Sequence, residues 1–219
     1  YLTALMRIGI TLAKAGDPTA AISQHFEGLR RANPQNSIVL YLAEAEALRE
    51  AERFQEAFAT LERALQLHEG DKDLLYARAL LAERIDRLDV LERDLRVIIA
   101  ADPKNGQALN ALGYTLADRT DRYPEALGYI EQALVVLPND AAVLDSMGWV
   151  QYRLGDYPKA LDYLRRAYQI NPDAEIAAHF SEVLWVSGQR EEAKKIWRTA
   201  KRKTPDSRHL RQLQERFGW

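Results

Sequence analysis

The chain has 219 residues, 47% of them hydrophobic and 28% charged, enough for one large soluble domain or two small ones. A formal net charge of −2 argues against non-specific nucleic-acid binding, and the absence of cysteine excludes disulfides and thiolate metal sites. No apolar run approaches the ~20 residues that span a bilayer, and the opening Tyr1-Leu2-Thr3, with no initiator methionine, signal peptide or lipid-attachment cysteine, leads us to expect part of a longer protein.

In chain order, the sequence predicts six units of two helices each, at about 2–36, 37–70, 71–105, 106–140, 141–173 and 174–206. Pro103, Pro138, Pro172 and Pro205 lie 35, 34 and 33 residues apart, and Pro34 lies 69 before Pro103. Pro18, Pro124 and Pro158 follow a turn and open second helices, where the missing N–H costs nothing. The small residue of the first helix is Gly9, Ala45, Ala79, Gly113, Gly148 and Ser181. Small side chains belong where two helices cross closely. The second helix has two further small positions. The first reads Ala21, Ala57, Leu91, Ala126, Ala160 and Ala193, and the second Gly28, Ala64, Ile98, Ala133, Ala167 and Ala200. The third unit departs at both and has Asp86-Arg87-Leu88 in place of a glycine turn, so its helices are expected to sit farther apart. From Asp206 to Phe217 one more helix, with Leu210, Leu213 and Phe217 on one face, is expected to cap the stack; the cap spans 207–219.

The clearest unit carries Leu144, Met147, Gly148 and Gln151, then Gly155-Asp156-Tyr157, then Ala160, Leu164, Ala167 and a closing Pro172. This closely resembles the tetratricopeptide (TPR) consensus, except that Gln151 stands where tyrosine is usual. The resemblance covers essentially the whole chain. It implies an all-α solenoid, coiled as a right-handed superhelix with a concave groove.

Catalytic motifs are not found. There is no phosphate loop, His-Glu-x-x-His or Gly-x-Ser-x-Gly. His25, His68, His179 and His209 lie in different units without ligand spacing and read as scattered, exposed side chains, so no metal or cofactor is expected. Glu191 and Glu192 read as a solvated helix start complementing the dipole, with Lys195 one turn on from Glu191.

In TPR proteins the first helix of each unit lines the groove. Carried onto this sequence, that pattern makes Tyr76, Tyr114, Trp149, Tyr152 and Trp185 groove candidates, with Asn110, Asp118, Asp145, Arg153 and Glu182 near them. Large aromatics are enriched at binding hot spots. The alternative reading of each is packing between helices; Trp197, at a core position of a second helix, is assigned to packing. The lysine and asparagine clamp by which some TPR domains hold chaperone tails has only Asn110 of the right type here. Charge is uneven. Residues 37–70 hold seven acidic and three basic residues, net −4, and residues 174–219 hold ten basic and six acidic, net +4. The basic group includes Lys194, Lys195, Arg198, Lys201, Arg202 and Lys203, read either as a solvated face or as a means of steering an acidic partner.

The stretches Ala108-Leu109-Asn110-Ala111-Leu112-Gly113-Tyr114-Thr115-Leu116, Asp145-Ser146-Met147-Gly148-Trp149-Val150 and His209-Leu210-Arg211 resemble the C-terminal part of large bacterial envelope TPR proteins. In particular, they resemble the lipoprotein partners of periplasmic C-terminal processing proteases, of the LbcA type. That resemblance implies a non-catalytic outer-membrane lipoprotein facing the periplasm, held to the membrane only by a lipid anchor outside this chain. It would bind the protease and present cell-wall hydrolases to it; no nucleic-acid partner is implied. Two alternatives remain open: an assembly scaffold for secretion or pilus machinery, and the regulatory half of a larger enzyme.

Overall fold

A computed structural model describes every residue except Tyr1 and Asp17, with nothing described of the side chains of residues 2–6 and 13. Among the described residues the chain is all-α, and it divides into two compact units, Tyr1–Pro103 and Lys104–Trp219. The first holds α1 (Leu2–Lys14), α2 (Thr19–Ala32), α3 (Ser37–Glu50), α4 (Phe54–Leu67), α5 (Lys72–Arg84) and α6 (Leu88–Ala101). The second holds α7 (Gly106–Arg119), α8 (Tyr123–Val136), α9 (Ala141–Arg153), α10 (Tyr157–Ile170), α11 (Ala174–Val186), α12 (Arg190–Lys203) and α13 (Arg208–Phe217).

Two kinds of helix alternate. Second helices are amphipathic: α12 buries Ala193, Ile196, Trp197 and Ala200, at i, i+3, i+4 and i+7, and leaves its other faces polar. First helices are enclosed on several sides. In α9 every residue from Val143 to Val150 is buried, and in α11 every residue from Ile176 to Leu184. The cause is that in the second unit α7, α9, α11 and α13 pack on one another in sequence as well as on their own partners. They form one inner layer, and the functional candidates of this unit sit on it.

Close crossings explain the glycines. A Cβ on Gly148 would lie 2.5 Å from Leu164 Cγ and 3.1 Å from the Ala160 carbonyl oxygen; one on Gly113 would lie 2.6 Å from Ile130 Cγ1. Helix starts are fixed by side chains that accept backbone N–H bonds. Asp71, Asn105, Asp140, Asp173 and Ser207 do this for α5, α7, α9, α11 and α13, each about one repeat after the last. The turns inside the pairs use a left-handed residue, except that from α7 to α8. Gly155 (φ 85°) and Gly188 (φ 89°) supply it without strain, whereas Glu52 (φ 59°) and Asp86 (φ 61°) adopt it as non-glycine residues. The missing glycine of the third unit is thus replaced by Asp86 in the same conformation. Leu91 and Ile98 are buried there in place of alanines.

One expectation fails in the first unit. Ala21 and Gly28 are exposed, and α2 buries Ile22, Phe26 and Leu29 instead. α2 starts three residues after Gly16, whereas α10 starts two after Gly155. One residue of offset turns a helix by about 100°, so a different face meets the core.

Candidate functional site

The inner layer of the second unit gathers polar and aromatic side chains into one connected network. At its centre His179 of α11 binds Asp145 of α9, Nδ1 to Oδ2 at 2.8 Å. The indole of Trp149 stacks on the imidazole, centroids 4.2 Å apart and planes 23° apart. The Trp149 Nε1–H donates to Asp118 Oδ1 of α7 at 3.2 Å. Tyr114 of α7 reaches past α9 and donates its hydroxyl to Glu175 of α11 at 2.8 Å. Next to Trp149, Tyr152 donates to Glu182 Oε1 at 3.0 Å, and Arg216 of α13 binds the same oxygen. Arg153 donates to the Asp118 carbonyl at 3.2 Å and to the Tyr123 hydroxyl at 2.6 Å.

Burial and charge set the protonation states. Burial pushes the His179 imidazole down, but the Asp145 carboxylate bound to it, with Glu175 and Asp118 beyond, outweighs this and raises it from 6.5 to about 9. Burial raises the Asp145 carboxyl, against the pull of the imidazole, so a proton is held tightly between Asp145 and His179. Among the described residues no hydroxyl is bonded to His179 as a nucleophile would be. Burial, then the Glu182 carboxylate, pushes the Tyr152 hydroxyl up to about 12. Burial with Glu175 pushes Tyr114 well above 10, and burial pushes His209 down. The described residues contain no group of three or more His, Asp or Glu side chains placed to hold a metal ion. None of the described helices is long and apolar enough to cross a membrane.

Of the residues singled out in the sequence, Tyr114, Asp118, Asp145, Trp149, Tyr152, Arg153 and Glu182 meet in this network. Trp185 belongs to a neighbouring aromatic group with Phe217 (5.6 Å) and Trp219 (5.0 Å), which packs α13 onto α11. Asn110 is half-buried on α7, and its Oδ1 is enclosed without a partner, as is Asp145 Oδ1. Tyr76 is half-buried on α5 of the first unit, where burial raises its hydroxyl pKa. Trp197 is core, its Nε1–H donating to the Leu210 carbonyl at 2.9 Å.

Trp149, a groove candidate whose alternative reading is packing between helices, is only 7% exposed, because His179, Tyr152 and Asp118 enclose it. One expectation needs correction: the histidines are not exposed. His179 is 6% exposed, and His25, His68 and His209 are half-buried. His179, Glu175, Tyr123 and Arg216 were not singled out as site residues. A signal for them existed: Asp145 and His179 stand 34 residues apart, as do Glu182 and Arg216. In a stack of repeats, positions one period apart face each other on neighbouring helices.

The alternation of helix pairs, the small residues at the crossings and the inner layer define a helical-repeat protein. The tetratricopeptide repeat family profile matches residues 9–204, and the chain belongs to that family. Its members are generally protein-interaction scaffolds and typically non-catalytic. The chain is 46% identical over 182 residues to the TPR repeat-containing protein PA4667 of Pseudomonas aeruginosa, which covers 83% of this chain and 31% of that protein. It thus spans less than a third of that relative's length. Solved structures of similar fold include a thermophilic TPR protein of Thermus thermophilus, with TM-score 0.70, 24% identity and coverage of 78% and 93% of the two chains. A TPR protein of Parabacteroides merdae has TM-score 0.74, 15% identity and coverage of 98% and 84%.

Proposed function

We propose that this chain is a non-catalytic scaffold whose inner layer in residues 104–219 holds a segment of a partner protein. In the whole protein it acts as an adaptor. It binds a periplasmic C-terminal processing protease and presents protein substrates, cell-wall hydrolases among them, at the periplasmic face of the outer membrane. The observation that carries the scaffold reading is the inner layer itself. Its aromatic and charged side chains are held by one another rather than by mobile loops, so little order is lost on binding. Tyr114, Tyr152, Arg153 and Asn110 are its half-buried, reachable members. The adaptor reading rests on the resemblance of the Ala108–Leu116, Asp145–Val150 and His209–Arg211 stretches to envelope TPR lipoproteins.

Tethering a substrate beside a protease raises its effective concentration, with avidity gains of ~10²–10⁴ where geometry permits. The test is a cleavage assay with purified protease, substrate and the full-length protein. Cleavage should accelerate, pass through a maximum, and decline in scaffold excess, when the two partners occupy separate copies. No acceleration with authentic partners would overturn the adaptor reading.

A further inference from the structure

We propose that the basic stripe of α12 is a second docking face, separate from the inner layer, for an acidic segment of a partner protein. Arg190, Lys194, Lys195, Arg198, Lys201 and Arg202 fall within about 140° of the helix surface and along roughly 18 Å of its axis. None of the six has a carboxylate partner among the described residues. Arg190 and Lys194 lie over the Trp185 ring at 5.0 and 5.4 Å, and Lys201 donates to the Pro205 carbonyl at 2.7 Å. Four of these side chains, with Thr199 and the edge of Trp197, line a concavity of about 560 Å³.

A solvated helix face accounts for only part of this. Cations in the last turn complement the helix dipole, which explains Lys201 and Arg202. Arg190 stands at the opposite end, where positive charge is unfavourable. Arg190, Lys194, Arg198 and Arg202 follow one another at i, i+4 steps, and like charges at that spacing repel. The only acidic residues of α12 are Glu191 and Glu192 in its first turn, and neither pairs with the stripe. The helix thus keeps an uncompensated row of cations that a row of carboxylates would neutralise.

The occupant is a protein segment rather than a lipid surface. Helices that lie on membranes carry large apolar side chains beneath their basic ones. Here Ile196 and Trp197 are buried in the core, which leaves the stripe nothing to insert. The concavity, with its aromatic edge, instead admits apolar side chains spaced among carboxylates. Nucleic acid is disfavoured by the chain's net negative charge and by the lack of exposed aromatics between the cations.

The test uses the full-length protein and a fluorescein-labelled synthetic peptide of Glu and Asp with leucine at every fourth position. At low salt the peptide should bind, and binding should weaken steeply as salt rises. The double variant Arg198→Glu/Arg202→Glu should lose at least about tenfold in affinity, with unchanged circular dichroism. Arg198→Gln/Arg202→Gln should lose less, in the same direction. Tyr152→Phe, in the inner layer, should leave peptide binding unchanged, which keeps this face distinguishable from the groove. Absence of peptide binding at low salt, or binding untouched by charge reversal, would overturn the proposal. So would equal, charge-dependent binding to vesicles of phosphatidylglycerol and phosphatidylethanolamine, which would assign the stripe to a lipid surface.

Discussion

Ser181 stands where the first helices of other pairs carry glycine or alanine, and its Oγ is enclosed without a hydrogen-bond partner. A buried unsatisfied hydroxyl costs about 1–3 kcal/mol, so Ser181→Ala should raise stability by about 1 kcal/mol. A lowered urea midpoint would contradict this. His179 gives a pH prediction. Its folded pKa, about 9, lies above the ordinary 6.5. Its contribution to stability is therefore complete below pH 6.5 and is lost as pH rises through 9. Denaturation curves across that window should show falling stability in the parent and a flatter profile in His179→Gln; equal slopes would remove His179 as the cause. Tyr114, Asp145, Trp149, Tyr152 and Glu182 were legible in the sequence because a repeat fixes which positions of a first helix face inward. Their burial was not legible. It depends on His179, Glu175 and Arg216, whose partners lie on other helices, and a single unit's pattern carries no record of its neighbours.

Among the elements, the turn residue between paired helices separates what sequence can specify from what the backbone tolerates. Glycine marks the turns at Gly155 and Gly188, yet Glu52 and Asp86 take the same left-handed conformation. The turn from α7 to α8 is made without it, and where a turn does take that conformation glycine only makes it free of strain. A non-glycine left-handed residue costs roughly 1–2 kcal/mol. Glu52 is exposed, so Glu52→Gly should stabilise the α3–α4 pair by about 1 kcal/mol in a thermal or chemical melt. No gain would mean that Glu52 makes a compensating interaction. The register of α2 illustrates the opposite limit. Ala21 and Gly28 fit the small-residue pattern in sequence, but the later start of α2 turns Ile22, Phe26 and Leu29 inward. Spacing counts residues, whereas the face presented depends on where the helix begins.

For the molecule as a whole, the decisive property is that helices pack on chain neighbours and on helices one pair away. Stability in such an array is close to a sum of local terms, so damage should stay local. Gly148→Ala tests this. The added Cβ meets Leu164 Cγ at 2.5 Å, which a rotamer change can relieve, and the Ala160 carbonyl oxygen at 3.1 Å, which only a shift of backbone can relieve. Overpacking of this kind costs about 1–3 kcal/mol. The strain falls first on the α9–α10 crossing and then on α7 and α11, the inner-layer neighbours of α9. Amide hydrogen exchange should accordingly quicken most in α9 and α10, less in α7 and α11, and little in α3 and α4. Because α9 carries Asp145, Trp149 and Tyr152, the same variant should loosen the inner layer and weaken partner binding there. It should leave the basic stripe of α12 competent to bind the acidic peptide. Uniform loss of protection from α3 to α12 would show instead that the chain unfolds as one cooperative block, and then neither surface could be lost without the other.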